Sequence, residues 1–112
     1  MTEKNLTKEE RQKQRKERDL ADIRFVAKSP EGRRLLWRMM AENGIFQPSF
    51  NSESLVMSYA EGRRAAGLSI LHDIFSAKSS LFGQMQQEHA SELKREEIIE
   101  EKEEQERDPL SL

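Results

Sequence analysis

The sequence predicts an all-α protein: a small domain of three to four helices with a charged helical extension at each end. Apolar residues recur at intervals of three and four along most of the chain, and no segment alternates apolar and polar residues as a β-strand would. Charged residues make up 36% of the 112 residues and hydrophobic residues 35%. That balance is typical of a small helical core that carries long solvated segments.

The first helix is predicted to begin after Thr7, because Thr7 and Glu10 have the spacing of a capping box and no Gly or Pro interrupts residues 7–28. Its first half is almost entirely charged, and an apolar stripe starts only with Leu20 and Ile23. We therefore expect the helix to dock from Leu20 onward. The upstream half is either a projecting solvated helix or a segment that becomes ordered on binding.

The second helix is predicted to start at Ser29 and Pro30, which suit the N-cap and the first helical position. Gly44 is expected to end it, because glycine adopts the left-handed conformation at little steric cost. The buried side of this helix is predicted to consist of four residues at helical spacing: Leu35, Leu36, Met39 and Met40.

A loop containing Pro48 follows, and a third helix is predicted from about Glu53 to Phe75, capped by Asn51 or Ser52. The small residue Gly67 should let a backbone or a bulky side chain approach this helix closely, although glycine costs about 1 kcal/mol in helix propensity. The apolar stripe of the third helix is predicted to comprise Val56, Tyr59, Ala60, Gly67, Leu68, Leu71, Ile74 and Phe75.

A fourth helix is predicted after the polar residues 76–80, and it should continue beyond the last residue of its apolar stripe. Its stripe comprises Leu81, Phe82, Met85, His89 and Leu93, and an acidic run then continues until Asp108 and Pro109 stop the helix.

The distribution of charge divides the chain into three parts. These are a charged N-terminal arm of residues 1–18 with net charge +3, a helical domain of residues 19–91, and an acidic C-terminal helix and tail of residues 92–112 with net charge −5.

Composition narrows the classes of function. Cysteine is absent, so disulfides and thiolate metal sites are excluded, and no apolar run approaches the 18 residues of a membrane span. The N-terminus has no apolar signal-peptide region, and we expect a soluble protein with no membrane contact. His72 and His89 lie in separate predicted helices, and no metalloprotease motif, Gly-rich phosphate loop or nucleophile elbow occurs. We therefore expect no enzyme activity, cofactor or metal.

The tetrapeptide EGRR occurs at residues 31–34 and again at residues 61–64. The flanking apolar residues do not align, so we reject a tandem repeat. Adjacent arginines point about 100° apart on a helix. One Arg of each pair can therefore follow the core edge while the other reaches toward a carboxylate or phosphate of a partner. In the first copy, Gly32 should merely be tolerated near the helix start.

The alternative for these arginines is an internal role. On that interpretation Arg34 and Arg64 pair with carboxylates of the same chain, such as Asp22, Glu42 or Asp73. Replacing Arg64 would then lower stability, whereas replacing Arg33 would mainly affect partner binding.

Three aromatic residues are candidates for the same partner-binding role. Trp37, the only tryptophan, is either a core-edge residue or an interface anchor, because Trp and Arg are enriched at binding hot spots. Phe46 and Phe50, in the loop, either fold back over the helices or form a contact knob. The candidate partner-binding residues are Arg33, Arg34, Trp37, Phe46, Phe50, Arg63 and Arg64.

The residues in the order SPEGRRLLWRMMAENGIF, FNSES and EGRRAAGLSILHDI resemble a small family of tailed-bacteriophage proteins, found mainly in short-tailed phages and their prophages. The resemblance covers about residues 20–90 and leaves both charged ends outside. It implies a gene of the phage structural and morphogenesis module. The protein would then occupy the host cytoplasm during assembly and the virion afterwards.

The leading hypothesis is a virion or head-assembly protein that acts through helix-mediated contacts near the portal or inside the head. Its partners would be portal or capsid components, and its oppositely charged arms could also join copies into a homo-oligomer. The alternative is a nucleic-acid-binding accessory protein that uses the basic N-terminal arm and the Arg pairs on DNA phosphates. Interspersed glutamates and a net charge of −2 count against that alternative. A scaffolding protein, which assembles and leaves, is the third hypothesis.

Overall fold

The computed structural model describes residues 5–107, which form four α-helices and no strand, and the predicted all-α class is confirmed. The helices are α1 (Lys8–Val26), α2 (Pro30–Glu42), α3 (Ser54–Ala77) and α4 (Leu81–Arg107). The molecule extends 77 × 40 × 18 Å with a radius of gyration of 20.4 Å. A compact domain of this length would have a radius of about 13 Å. The difference arises because α1 and α4 project beyond the packed region.

The helix ends follow local side-chain chemistry in three of the predicted places. Thr7 and Glu10 exchange the two hydrogen bonds of a capping box at 3.2 and 3.1 Å, and the Ser29 hydroxyl accepts from the Gly32 amide at 3.0 Å. Gly44 has φ +74°, a left-handed conformation that other residues rarely adopt.

The predicted cap of the third helix is wrong. The N-cap of α3 is Glu53, which makes no side-chain capping bond. Asn51 instead accepts a hydrogen bond from the Glu53 amide at 2.9 Å. Its side chain therefore closes the turn before the helix, a local bond that competes with capping.

The hydrophobic core is small, and each helix contributes from one narrow side or from its end. Its buried residues are Ala27, Leu36, Met40, Ile45, Ile74, Ala77, Leu81 and Met85. The predicted buried side of α2 is therefore half correct, since Leu35 and Met39 remain 42% and 40% exposed. They lie about 100° around the helix from Leu36 and Met40. The helices packed against α2 lie on the side of Leu36 and Met40.

Half of the apolar stripe predicted for α3 is also exposed. Gly67 and Ile74 are buried, but Tyr59 is 69% exposed and Val56 45%. For Val56 and Tyr59 the reason is length: α3 has 24 residues and α2 has 13, so the first turns of α3 extend past the helix against which its centre packs.

The two EGRR glycines have unlike surroundings. A Cβ at Gly32 would lie 2.7 Å from the Val26 carbonyl carbon and closer still to its oxygen, whereas a Cβ at Gly62 would meet nothing within 4 Å. The expectation that Gly32 is merely tolerated is therefore wrong. The first turn of α2 runs against the last turn of α1, and the absence of a side chain at residue 32 permits that approach.

The close approach predicted at Gly67 is confirmed. A Cβ there would lie 3.0 Å from the Asn43 Cβ and nearer to the Ile45 Cγ2, so the C-cap of α2 and the residue two positions after it press on the middle of α3. We expect Gly67→Leu to lower the free energy of unfolding by about 2 kcal/mol, despite the better helix propensity of leucine.

Urea denaturation followed by circular dichroism measures this effect. Gly83→Leu is the control, because a Cβ at Gly83 would meet nothing within 4 Å in α4. Gly83→Leu should leave the midpoint unchanged or raise it. Equal midpoints for the two variants would contradict the close approach at Gly67.

Both helical extensions are exposed. α1 is helical from Lys8 onward, and its side chains from residue 8 to residue 19 are exposed, which agrees with a projecting helix. α4 is likewise exposed from Ala90 to its end at Arg107. The stop predicted at Asp108 and Pro109 lies outside the described residues. No helix within residues 5–107 has the length and apolar character needed to cross a membrane.

Candidate partner-binding site

The candidate site is a groove between α2 and residues 84–99 of α4. The two helices contact each other through Arg33, which binds Glu88, and through Trp37, whose ring lies against both Phe82 and His89. Trp37, Phe46 and His89 line this groove together with charged residues of both helices. The groove brings together several residues that the sequence analysis selected on separate grounds.

Trp37 lies at the centre of an aromatic cluster. Its ring stacks on Phe46 at 4.8 Å, on His89 at 4.7 Å and on Phe82 at 5.8 Å between ring centroids. Phe82 also packs against Phe75 at 5.5 Å, which connects the cluster to α3. The geometry supports the core-edge interpretation of Trp37. Its ring joins the loop, α2 and α4.

The two loop phenylalanines divide between the predicted alternatives. Phe46 folds back onto Trp37, although it remains 48% exposed. Phe50 is 83% exposed, as a contact knob requires. A partner role for either residue stays a prediction.

Arg33 makes the main internal ion pair of the described residues. Its guanidinium Nε lies 2.7 and 3.1 Å from the two carboxylate oxygens of Glu88, and its side chain is 13% exposed. The same guanidinium donates to the backbone carbonyls of Ala27 at 3.0 Å and Lys28 at 3.3 Å. Arg33 therefore joins the corner between α1 and α2 to α4.

The internal interpretation named the wrong arginine of the first pair, and in the second pair neither arginine makes an ion pair within the described residues. Within residues 5–107, Arg34 and Arg64 make no ion pair, and neither Asp22 nor Asp73 accepts one. Helix phase explains the difference at the first site: Arg33 lies four residues before Trp37 and points toward α4 with it, whereas Arg34 is rotated by about 100° toward the open groove.

The second Arg pair lies apart from the groove. Arg63 donates to the carbonyl oxygen of Glu42 at the end of α2, and its guanidinium lies 5.9 Å from the centre of the Tyr59 ring. Both residues border a small open cleft beside Gly44 and Pro48. The two EGRR copies therefore share helix chemistry without sharing a site.

Because Arg33 is largely buried, we expect Arg33→Ala to lower the free energy of unfolding by about 1.5 kcal/mol, the effect typical of hydrogen bonds to charged groups. Arg34→Ala is the matched control and should change stability by less than about 0.5 kcal/mol, as an exposed position does. Thermal and urea unfolding of both variants check this. A larger loss for Arg34→Ala would contradict the geometry.

The walls of the groove carry most of the residues that sequence reasoning missed. Arg38 lines it from α2, beside the predicted Arg34, and Glu92, Glu96 and Ile99 line it from α4. Their helical spacing is visible in the sequence, but the pairing of α2 with α4 is not. Without that pairing, the α4 residues could not be assigned to the same site as Arg34.

The comparisons with known proteins agree with the phage resemblance. The family model described as "Bbp19-like phage protein" matches residues 23–87. The comparisons with curated proteins and with solved structures gave no match. The matched segment contains α2, α3 and the core residues of α4, and it stops before Glu88 and the projecting part of α4. Since the match spans more than half of the chain, this protein belongs to the family of Bbp19-like phage proteins.

Proposed function

We propose that this phage protein is a non-enzymatic virion or head-assembly component that acts through helix-mediated contacts with portal or capsid proteins. The observation that carries the proposal is the large solvent-accessible surface area of the single chain. The accessible area is 9149 Å² for 13.1 kDa, whereas a folded monomer of that mass exposes about 6,400 Å². A chain with this much surface is suited to assembly with partners.

Apolar side chains within that surface support the same function. Leu55 is 86% exposed and Tyr59 69% at the start of α3, and Ile99 is 54% exposed on α4. Exposed apolar groups that form rows, beside arginines and aromatic rings, are typical of protein interfaces. The groove and the start of α3 lie on different parts of the molecule. They could therefore contact two neighbours at once.

A specific feature of α1 favours DNA binding as a second candidate function. Lys8, Arg11, Arg15 and Arg18 recur at intervals of three and four and are all exposed. They form one basic stripe, whereas Glu9, Glu10 and Glu17 lie on other sides of the helix. Such a stripe can follow duplex phosphates, with binding that weakens steeply as salt rises.

Mass spectrometry of purified particles and of proheads tests the leading proposal. We expect the protein in at least one of the two, cross-linked to a portal or capsid component through lysines of this chain. Absence from both would contradict an assembly role.

A gel-shift titration with duplex DNA tests the second candidate. It compares the triple variant Arg11→Gln, Arg15→Gln, Arg18→Gln with the double variant Lys13→Gln, Lys16→Gln. Equal binding by the two variants would count against the stripe.

A further inference from the structure

The outer side of α3 carries a long stripe of uncharged residues, all of them exposed. The buried Gly67 and Ile74 lie about 120–140° around the helix from Gly62, the middle residue of this stripe. Although charged residues make up 36% of the chain, none occurs in the stripe. Depletion of charge on an exposed surface is typical of the central part of a protein interface. The members of this outer stripe are Leu55, Ser58, Tyr59, Gly62, Ala65, Ala66 and Ser69.

Gly62 has no packing role within the described chain. A Cβ there would meet nothing within 4 Å, whereas a Cβ at Gly67 would press on Asn43 and Ile45. Glycine inside a helix is destabilising relative to alanine, so Gly62 weakens α3 without an internal gain. A second helix that crossed α3 at Gly62 would use the missing side chain, because the distance between two helix axes depends on the side chains at the contact.

The outer stripe is bulky before Gly62 and small after it. Leu55 is 86% exposed and Tyr59 is 69% exposed. Beyond Gly62 the stripe consists of two alanines and a serine, so its surface is low there. One half of the stripe therefore projects and the other half can receive a projecting side chain.

The ring of Tyr59 is held by a neighbour on its own helix. The Arg63 guanidinium lies 5.9 Å from the centre of that ring and donates to the backbone carbonyl of Glu42. The most exposed aromatic ring of α3 is thus positioned before any partner arrives, which lowers the entropy lost on binding.

An antiparallel pair of α3 helices related by a two-fold axis at Gly62 places the bulky half of each helix on the small half of the other. The axis keeps each side of the contact together, so residues pair with those on the same side of the second helix. Tyr59 then lies beside Ala66 of the second copy. On the opposite side, Ser58 lies beside Ala65 of the second copy.

We propose that the outer stripe of α3 binds a second copy of this chain, as an antiparallel, two-fold symmetric helix pair that crosses at Gly62. The match in size between the two halves of one stripe argues for a second copy as the occupant. This inference rests on the proposed function in that it assigns one of the assembly contacts to a self-contact. Such an isologous contact is closed at two copies. The paired region, residues 55–69, is about 21 Å long.

Sedimentation velocity of the full chain over a range of concentrations tests the proposal. We expect a monomer–dimer equilibrium that persists as salt rises, because the outer stripe is uncharged, whereas a contact between charged arms would be screened. Ala66→Arg should weaken the dimer by about tenfold or more, since it places a charge in the contact. Ala21→Arg, at an exposed position of α1, is the matched control and should leave the dissociation constant near that of the wild type.

Gly62→Leu separates loss of the contact from loss of the fold. It should weaken the dimer by about tenfold or more. In dilute solution, where the chain is monomeric, its urea midpoint should be unchanged or higher, because the new side chain meets nothing within the chain. Gly83→Leu should change neither the dissociation constant nor the fold.

A size exchange tests the pairing itself. Ala66→Tyr alone should weaken the dimer, because two bulky rings would then meet on each side. The double variant Tyr59→Ala, Ala66→Tyr should restore it. Since the chain has no cysteine, a mixture of the single variants Ser58→Cys and Ala65→Cys should form a disulfide-linked dimer under mild oxidation, and each variant alone should do so far less.

A monomer at every concentration, or equal weakening by Ala66→Arg and Ala21→Arg, would overturn the proposal. A size exchange that fails to restore the dimer, or cross-linking of Ser58→Cys alone as fast as the mixture, would overturn the antiparallel pairing. Recovery of a monomeric protein in particles would leave the assembly function intact and refute only the self-contact.

Discussion

Gly32→Ala is expected to lower the free energy of unfolding by about 3 kcal/mol, at the upper end of the range for overpacking. The new methyl group would overlap the Val26 carbonyl, and a backbone atom in the last turn of α1 cannot rotate away as a side chain can. The same substitution in the other EGRR copy should act in the opposite sense. Gly62 lies in open space inside α3, so Gly62→Ala should stabilise the chain by up to about 1 kcal/mol through helix propensity.

Urea denaturation of this pair decides between packing and helix propensity as the main effect. A stabilised Gly32→Ala would show that α1 and α2 do not approach each other as closely as the structure has them. Equal destabilisation of both variants would mean that Gly62 also contacts another part of the chain.

The second large effect is expected for Trp37→Ala, which should lower the free energy of unfolding by about 3 kcal/mol, the lower end of the range for fully buried aromatic residues. The ring is partly buried, and its loss would leave Phe46, Phe82 and His89 without their common stacking partner. Trp37→Phe should lose less, because a smaller ring keeps part of the stack. Circular dichroism is the measurement, since these variants lack the only tryptophan.

Phe50→Ala is the control for Trp37→Ala, because Phe50 is 83% exposed and should change stability by less than about 0.5 kcal/mol. A comparable loss at the two positions would show that the cluster around Trp37 does not hold the helices together.

Local patterns in the sequence predicted most of the fold. The capping box at Thr7, the N-cap at Ser29 and the left-handed Gly44 depend on neighbours a few residues away, and all three are present. The periodicity of apolar residues likewise predicted three to four helices, and four are present. It could not show that Leu35 and Met39 stay exposed, because exposure depends on which side of α2 its neighbours occupy.

The candidate site shows the same division between local and distant information. Helix phase alone predicted that one arginine of each pair would follow the core and the other reach outward. Local sequence could not show which arginine makes the internal contact, because the partner of Arg33 is Glu88, 55 residues away in sequence. His89 was assigned to the apolar stripe of the fourth helix, and its ring stacks on Trp37. The need for Gly32 was also missed, because it arises from the angle at which α1 meets α2.

The uninterrupted course of α4 fixes both a distance and a rotation. Its 27 residues span about 40 Å, and no glycine or proline follows Gly83 within the helix. The orientation of the C-terminal end of α4 relative to the core is therefore fixed by the helix itself. One residue inserted after Ser91 would advance the tip by about 1.5 Å but turn it by about 100°. Seven inserted residues would move it about 10 Å and nearly restore its original rotation about the helix axis. The number of inserted residues can therefore change the distance of the helix end from the core and its rotation about the helix axis separately.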